Sequence, residues 1–179
     1  MARLLIALLM ICGFMATGCT NTVKEVSPAN DSKYRVSFNM PKSQKWDLVS
    51  VEQDSEGYAK SYRSLTAKGL AANQSFYINY GRGIKTPLLA SMNEVESSIA
   101  ATECSQKQTH VVNHAVDSLI FTVSANQCSN GQALWQVFKV FNMPDGQYSI
   151  VYTANPKVVS TGNIQQMKTV VTRARIIHL

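Results

Sequence analysis

The sequence predicts an α+β domain: an antiparallel sheet of about seven to eight strands, two helices packed on one of its faces, and one disulfide. Three observations carry this. Short runs in which apolar residues alternate with polar ones come in two groups of four. Each group is followed by a stretch whose apolar spacing shifts to the helical period. Cys104 and Cys128 enclose a loop of 25 residues inside the folded part.

The first group opens at Tyr34 with "YRVSFN" and continues with "WDLVSVE" after "MPKSQK", where Pro41 interrupts any continuous central strand. "GYAKSYRS" follows a turn at "DSEG". In "SFYINY", Phe76, Ile78 and Tyr80 fall on one face. These four segments predict an antiparallel meander. At Thr86 the period changes. Thr86 suits an N-cap and Pro87 the first helical position, where a missing N–H costs nothing. Leu88, Met92, Val95 and Ile99 then make a helical stripe, and Glu94 and Glu96 sit in the half that the helix dipole favours.

Strand character returns in "THVVNH" and "SLIFTVSA". "QALWQVFKVF" is apolar on both faces, as a buried central strand would be. Met143-Pro144-Asp145-Gly146 places Pro and Gly as a tight turn wants them, and "QYSIVYTA" completes a hairpin. Ser160 or Thr161 caps a second helix lined by Ile164, Met167, Val171 and Ala174, with Lys168, Thr172 and Arg175 facing elsewhere. The order is thus four strands, a helix, four strands, a helix.

The N-terminus has a different logic. Met-Ala-Arg precedes Leu4 to Met15, which carry no charge, and the stretch is too short for a comfortable membrane span. It ends Ala16-Thr17-Gly18-Cys19. These residues resemble the lipobox of bacterial lipoproteins, with Ala16 where Leu is usual. The resemblance implies that residues 1–18 are a signal peptide and that Cys19 becomes an acylated N-terminus; separately, the residues suggest no cofactor. Two or three acyl chains anchor stably, whereas one does not. Thr20 in place of Asp favours sorting to the outer membrane, with the domain facing the periplasm. An ordinary secretory signal with an unmodified Cys19 is the competing reading. Residues 19–33 read as a polar tether and 34–179 as a single domain.

Loss of residues 1–18 leaves 161 residues and removes one basic side chain from 17, against 11 acidic ones. Gly146 to Leu179 contains no Asp or Glu, so Lys168, Arg173 and Arg175 form a candidate anionic or partner surface, or else a solvated helix face. An exported lipoprotein does not meet nucleic acid.

With Cys12 in the leader and Cys19 acylated, Cys104 and Cys128 point to a disulfide in an oxidising compartment. Cys104, His110, His114 and Cys128 have metal-ligand chemistry, but their spacing fits no standard zinc site. On a regular strand His110 and His114 would share a face about 13 Å apart, too far for one ion. His114 with Asp117 is the best acid/base pair, its alternative being a solvated turn. Gly81-Arg82-Gly83 could imitate an anion cradle and reads better as a turn. Trp46, Tyr58, Tyr62, Tyr77, Trp135 and Tyr148 are candidates for a groove or for the core.

The opening "YRVSFNMPKSQKW", and "YSIVYTANPKVV" before the last helix, are similar to PsbP-like domains. That resemblance implies an accessory role. The functional expectation is a non-enzymatic outer-membrane lipoprotein, an assembly subunit of an envelope complex such as a secretion apparatus, with an envelope protein as partner. A periplasmic binding module for a small ligand or cell-wall component is the alternative.

Overall fold

A computed structural model describes residues 33–42, 44–64, 73–100, 102–129 and 131–178. The leader at 1–18, Cys19 and the tether as far as residue 32 lie outside the described residues. The elements are β1 (Tyr34–Ser37), β2 (Trp46–Gln53), β3 (Gly57–Ser64), β4 (Gln74–Arg82), α1 (Leu88–Ala100), β5 (Cys104–His114), β6 (Ser118–Cys128), β7 (Leu134–Met143), β8 (Gly146–Ala154), α2 (Thr161–Arg173) and β9 (Arg175–His178). Seven strands form one antiparallel sheet in the order β2-β3-β4-β8-β7-β6-β5. Two meanders, β2 to β4 and β5 to β8, join along β4 and β8, where Ile78 faces Ile150 and Tyr80 faces Tyr148.

The first strand does not extend the sheet. Among the described residues β1 pairs only with β9, Val36 facing Ile176 and Tyr34 facing His178. A C-terminal strand was not expected. α2 stops at Arg173, Ala174 takes an extended conformation with its N–H on the Val171 carbonyl, and the chain runs on as Arg-Ile-Ile-His. Two β-branched residues favour a strand there. Arg175 therefore belongs to β9, not to a helix face.

The two helices lie on opposite faces of the sheet, not on one. α2 buries Ile164, Met167, Val170 and Val171 against Phe76, Val137, Tyr148, Ile150 and Tyr152. α1 buries Leu88 and Ile99 against Leu119, Phe121, Val123, Phe138 and Val140. The physical reason is in the strands themselves. β7 sends Val137 and Phe141 to one side and Phe138 and Val140 to the other, so both sides need an apolar cover. Fully burying each such side chain is worth about 1.5–3 kcal/mol, so leaving either face to water would be costly.

Helix ends follow the chemistry of their residues. Ser160 is the N-cap of α2, its Oγ accepting from the Asn163 N–H at 3.3 Å. The other end is held from below. Lys139 on β7 donates to the carbonyls of Thr172 and Ala174, each at 2.8 Å, and lies 5.1 Å from the centre of the Phe141 ring. A cation at a helix C-terminus satisfies orphan carbonyls and complements the dipole.

The disulfide joins Cys104 to Cys128, which face each other across the open end of the β5–β6 hairpin. It staples an edge strand to its neighbour. It does not tie a helix to the sheet, because β5 starts at Cys104 itself.

Candidate functional site

The residues singled out in the sequence do not converge. His114 ends β5, Asp117 lies in the short connection to β6, and both are exposed. That connection is organised by backbone bonds, Ala115 N–H to the Ser118 carbonyl and Asn142 N–H to the Asp117 carbonyl. His110 and His114 do not share a face. A bulge between Val111 and Asn113 reverses the alternation, so His110 faces Thr122 and His114 faces Leu119. Thr122 and Leu119 point to opposite sides of β6. Among the described residues no group of three His, Cys, Asp or Glu could hold a metal ion.

Gly81-Arg82-Gly83 ends β4. Its amides are engaged, Arg82 N–H with the Glu56 carbonyl and Gly83 N–H with the Asp145 carbonyl.

The basic residues spread out as well. Lys168 and Arg173 are five residues apart on α2, which puts them about 140° apart around its axis. Arg173 and Arg175 are exposed, and Lys168 is half-buried. Arg175 comes near Lys139 at the foot of α2. Burial and that guanidinium push the Lys139 ammonium below its usual pKa, while Asp117 opposes them.

Of the six aromatics, Tyr58 and Tyr148 are buried on the α2 side, and Trp46, Tyr62 and Trp135 pack against the same core. Tyr80 stacks on Tyr148 at 4.5 Å and lies 5.5 Å from Tyr58. The Tyr148 hydroxyl donates to Asp145 Oδ2 at 2.7 Å. Burial, and then Tyr62, Tyr80 and Asp145, push the Tyr58 phenol up to about 12. Burial raises Tyr80 and Tyr152 as well.

These phenols are protonated in the folded state and would ionise near pH 10 if the chain unfolded. The contribution of Tyr58 is therefore fully present below pH 10 and lost as pH rises through about 12, and Tyr80 and Tyr152 act in the same direction. Urea melts should show stability falling steeply between pH 10 and 12. Tyrosinate absorbance that titrates fully at pH 10 in a still-folded protein would contradict this.

Three surface features were not read from the sequence. α1 lies over β5, β6 and β7. On the same face, β2, β3, β4 and β8 present Ser50, Ser61, Asn79, Ser149 and Thr153, with Tyr77 among them, all half-buried. The side chains pair across strands, Ser50 Oγ with Ser61 Oγ at 2.7 Å and Asn79 Nδ2 donating to Ser149 Oγ at 3.3 Å. This is a polar floor four strands wide, roughly 15–20 Å across. At the other end of this face, a depression of about 180 Å³ lies between the C-terminal half of α1 and β5, lined by Glu96, Ile99, Lys107 and Thr109. A site for a drug-sized ligand is usually larger, about 300–1,000 Å³.

The third feature is the β5 edge. β5 is eleven residues long and, among the described residues, unpaired on its outer side. Residues 108–116 contain no Asp, Glu, Lys or Arg. Val111 and Val112 are 38 % and 40 % exposed, and Val116 at the hairpin tip is fully exposed. The one charged side chain of β5, Lys107, turns back to donate to the carbonyls of Ala100 and Thr102 behind α1. Edges are normally blunted by charge or proline. β2, at the other end of the sheet, carries Asp47 and Glu52. The charge-free run at 108–116 was visible in the sequence; that it lies on an edge was not.

No model of a known protein family matches this chain, and no curated protein matches it significantly.

Proposed function

We propose that this is a non-enzymatic lipoprotein, anchored through acylated Cys19 to the periplasmic side of the outer membrane, that works by protein contact as an accessory subunit of an envelope complex. The observation that carries the contact half is the β5 edge, long, without Asp, Glu, Lys or Arg from residue 108 onward, and carrying exposed valines. An open strand edge is a template for adding a partner's strand. The lipobox at Ala16-Thr17-Gly18-Cys19 supports the anchor, and its residues lie outside those described. Arg173, at the end of α2, and Arg175, at the start of β9, remain candidates for a surface that meets an anionic partner, and Lys168 lies about 140° from Arg173 around the α2 axis.

One observation favours the alternative, a binding module for a cell-wall component. The polar floor around Tyr77 offers hydroxyls, amides and one aromatic ring on a flat surface, which suits a glycan better than an apolar ligand.

The reading is tested by complementation of a deletion strain with fractionation of the product. Cys19→Ser should leave the membrane fraction and fail to complement, whereas His114→Ala should complement fully. Membrane retention of Cys19→Ser would end the lipoprotein reading, and a His114→Ala protein that accumulates normally but behaves as a deletion would point to catalysis.

A further inference from the structure

We infer that the occupant of the β5 edge is the β5 strand of a second copy of this chain, paired antiparallel about a two-fold axis near Thr109. The inference rests on the reading of β5 as a contact surface and names its partner.

Charge is the first argument. Without residues 1–18 the chain carries 16 Lys and Arg against 11 Asp and Glu, a net charge of +5, so two copies repel over most of their surfaces. The stretch from Gln108 to Val116 has no Asp, Glu, Lys or Arg, so this edge meets a copy of itself without that penalty. It also offers a charged partner nothing to complement.

Register is the second. Pairing about Thr109 sets Gln108 beside His110 of the other copy, two polar side chains on the α2 face. On the α1 face it sets Val111 beside the aliphatic stem of the other copy's Lys107. The faces follow from the pairings with β6, Gln108 with Ser124 and His110 with Thr122, against Lys107 with Ala125 and Val111 with Phe121. The Lys107 ammonium is withdrawn to the carbonyls behind α1, which leaves its stem to pack. Only the segment before the bulge is used, so the bulge at Val112 marks the end of the pairing.

Closure is the third. The opposite edge, β2, carries Asp47 and Glu52 and a bulge between Leu48 and Ser50. Head-to-tail addition is thereby blocked, and β5 on β5 closes as a dimer with two-fold symmetry. The disulfide fixes the end of β5 at Cys104, so the strand is held ready for pairing.

The test places a benzophenone photocrosslinking side chain at His110, and separately at Gln108, in the full-length chain in its own cells. The expected product has twice the mass of the chain, with His110 joined to the Gln108 region of another copy. Val111→Lys replaces the valine that packs on the other copy's Lys107 stem with a charged side chain at each symmetric pair and should cut this product at least tenfold. Val111→Thr, neutral and β-branched, should keep it, as should Val116→Lys, which adds the same charge outside the register. Retention of the Cys104–Cys128 bond, read from intact mass, reports that each variant is folded. An adduct with a different protein would overturn the second copy as occupant and leave the docking reading standing. No adduct at either position, with the chain at its normal level in membranes, would overturn both.

Discussion

Alanine at Gly146 should destabilise the domain by about 3 kcal/mol or more, and alanine at Gly57 by as much. Both residues have φ near +156°, and they flank the end of β4 from its two neighbours: Gly57 pairs with Gly81, and Gly146 with Arg82. A Cβ on Gly146 would overlap the Gly81 carbonyl oxygen and come within 2.9 Å of the Tyr80 ring. A Cβ on Gly57 would overlap the Tyr80 carbonyl oxygen. These obstacles are backbone atoms of the central strand, so relief requires β4 itself to move. Gly162, in the first turn of α2, is the control: nothing lies within 4 Å of an added Cβ there. Gly162→Ala should be neutral or stabilising by about 0.5 kcal/mol, since alanine is the better helix former. Urea denaturation of the three variants decides the matter. A Gly146→Ala protein as stable as the parent would show that the three strands do not approach as closely as described.

Removing the disulfide by Cys104→Ala with Cys128→Ala should cost about 3.5 kcal/mol in the chain-entropy account of a 25-residue loop. The loss should be local first. β5 packs against β6 on one side only, and most of its side chains are exposed. Amide exchange should therefore rise along β5 before it rises in β7 or β8, which lie inside the sheet. Equal exchange in all strands, or a cost under about 1 kcal/mol, would mean that the hairpin holds its edge without the bond. Intact mass should rise by about two daltons on reduction of the parent.

Much of the fold was legible because local signals agreed with one another. Thr86-Pro87 and Ser160 marked two helix starts, the Pro144-Asp145 turn marked the central hairpin, and strict alternation marked β4 and β6. The two-sided apolarity of "LWQVFKVF" identified a buried strand and also implied covers on both faces, yet placing both helices on one face ignored it. β9 was missed because four residues after a helix give no period to read, and β1 was misplaced because its partner lay 140 positions away. The bulge at Val112 is invisible in sequence, and without it His110 and His114 seem to share a face.

The surfaces were legible only as composition. A run of nine residues without Asp, Glu, Lys or Arg can be core, edge or loop, and strand order decides which. Likewise the serines at 50, 61 and 149 are scattered in the chain and adjacent only once β2, β3, β4 and β8 are aligned. Lys139, inside the apolar run "LWQVFKVF", drew no reading from the sequence and is the group that closes the C-terminal end of α2.

The measurement that tests the central claim most directly is crosslinking in living cells, then detergent extraction of the full-length protein and mass spectrometry of everything bound to it. The account predicts protein adducts in stoichiometric amount, with crosslinks concentrated on β5 and its hairpin tip, and an N-terminus that begins at acylated Cys19. A chain recovered without protein adducts, carrying a glycan, lipid or other small molecule against the floor around Tyr77, would contradict it.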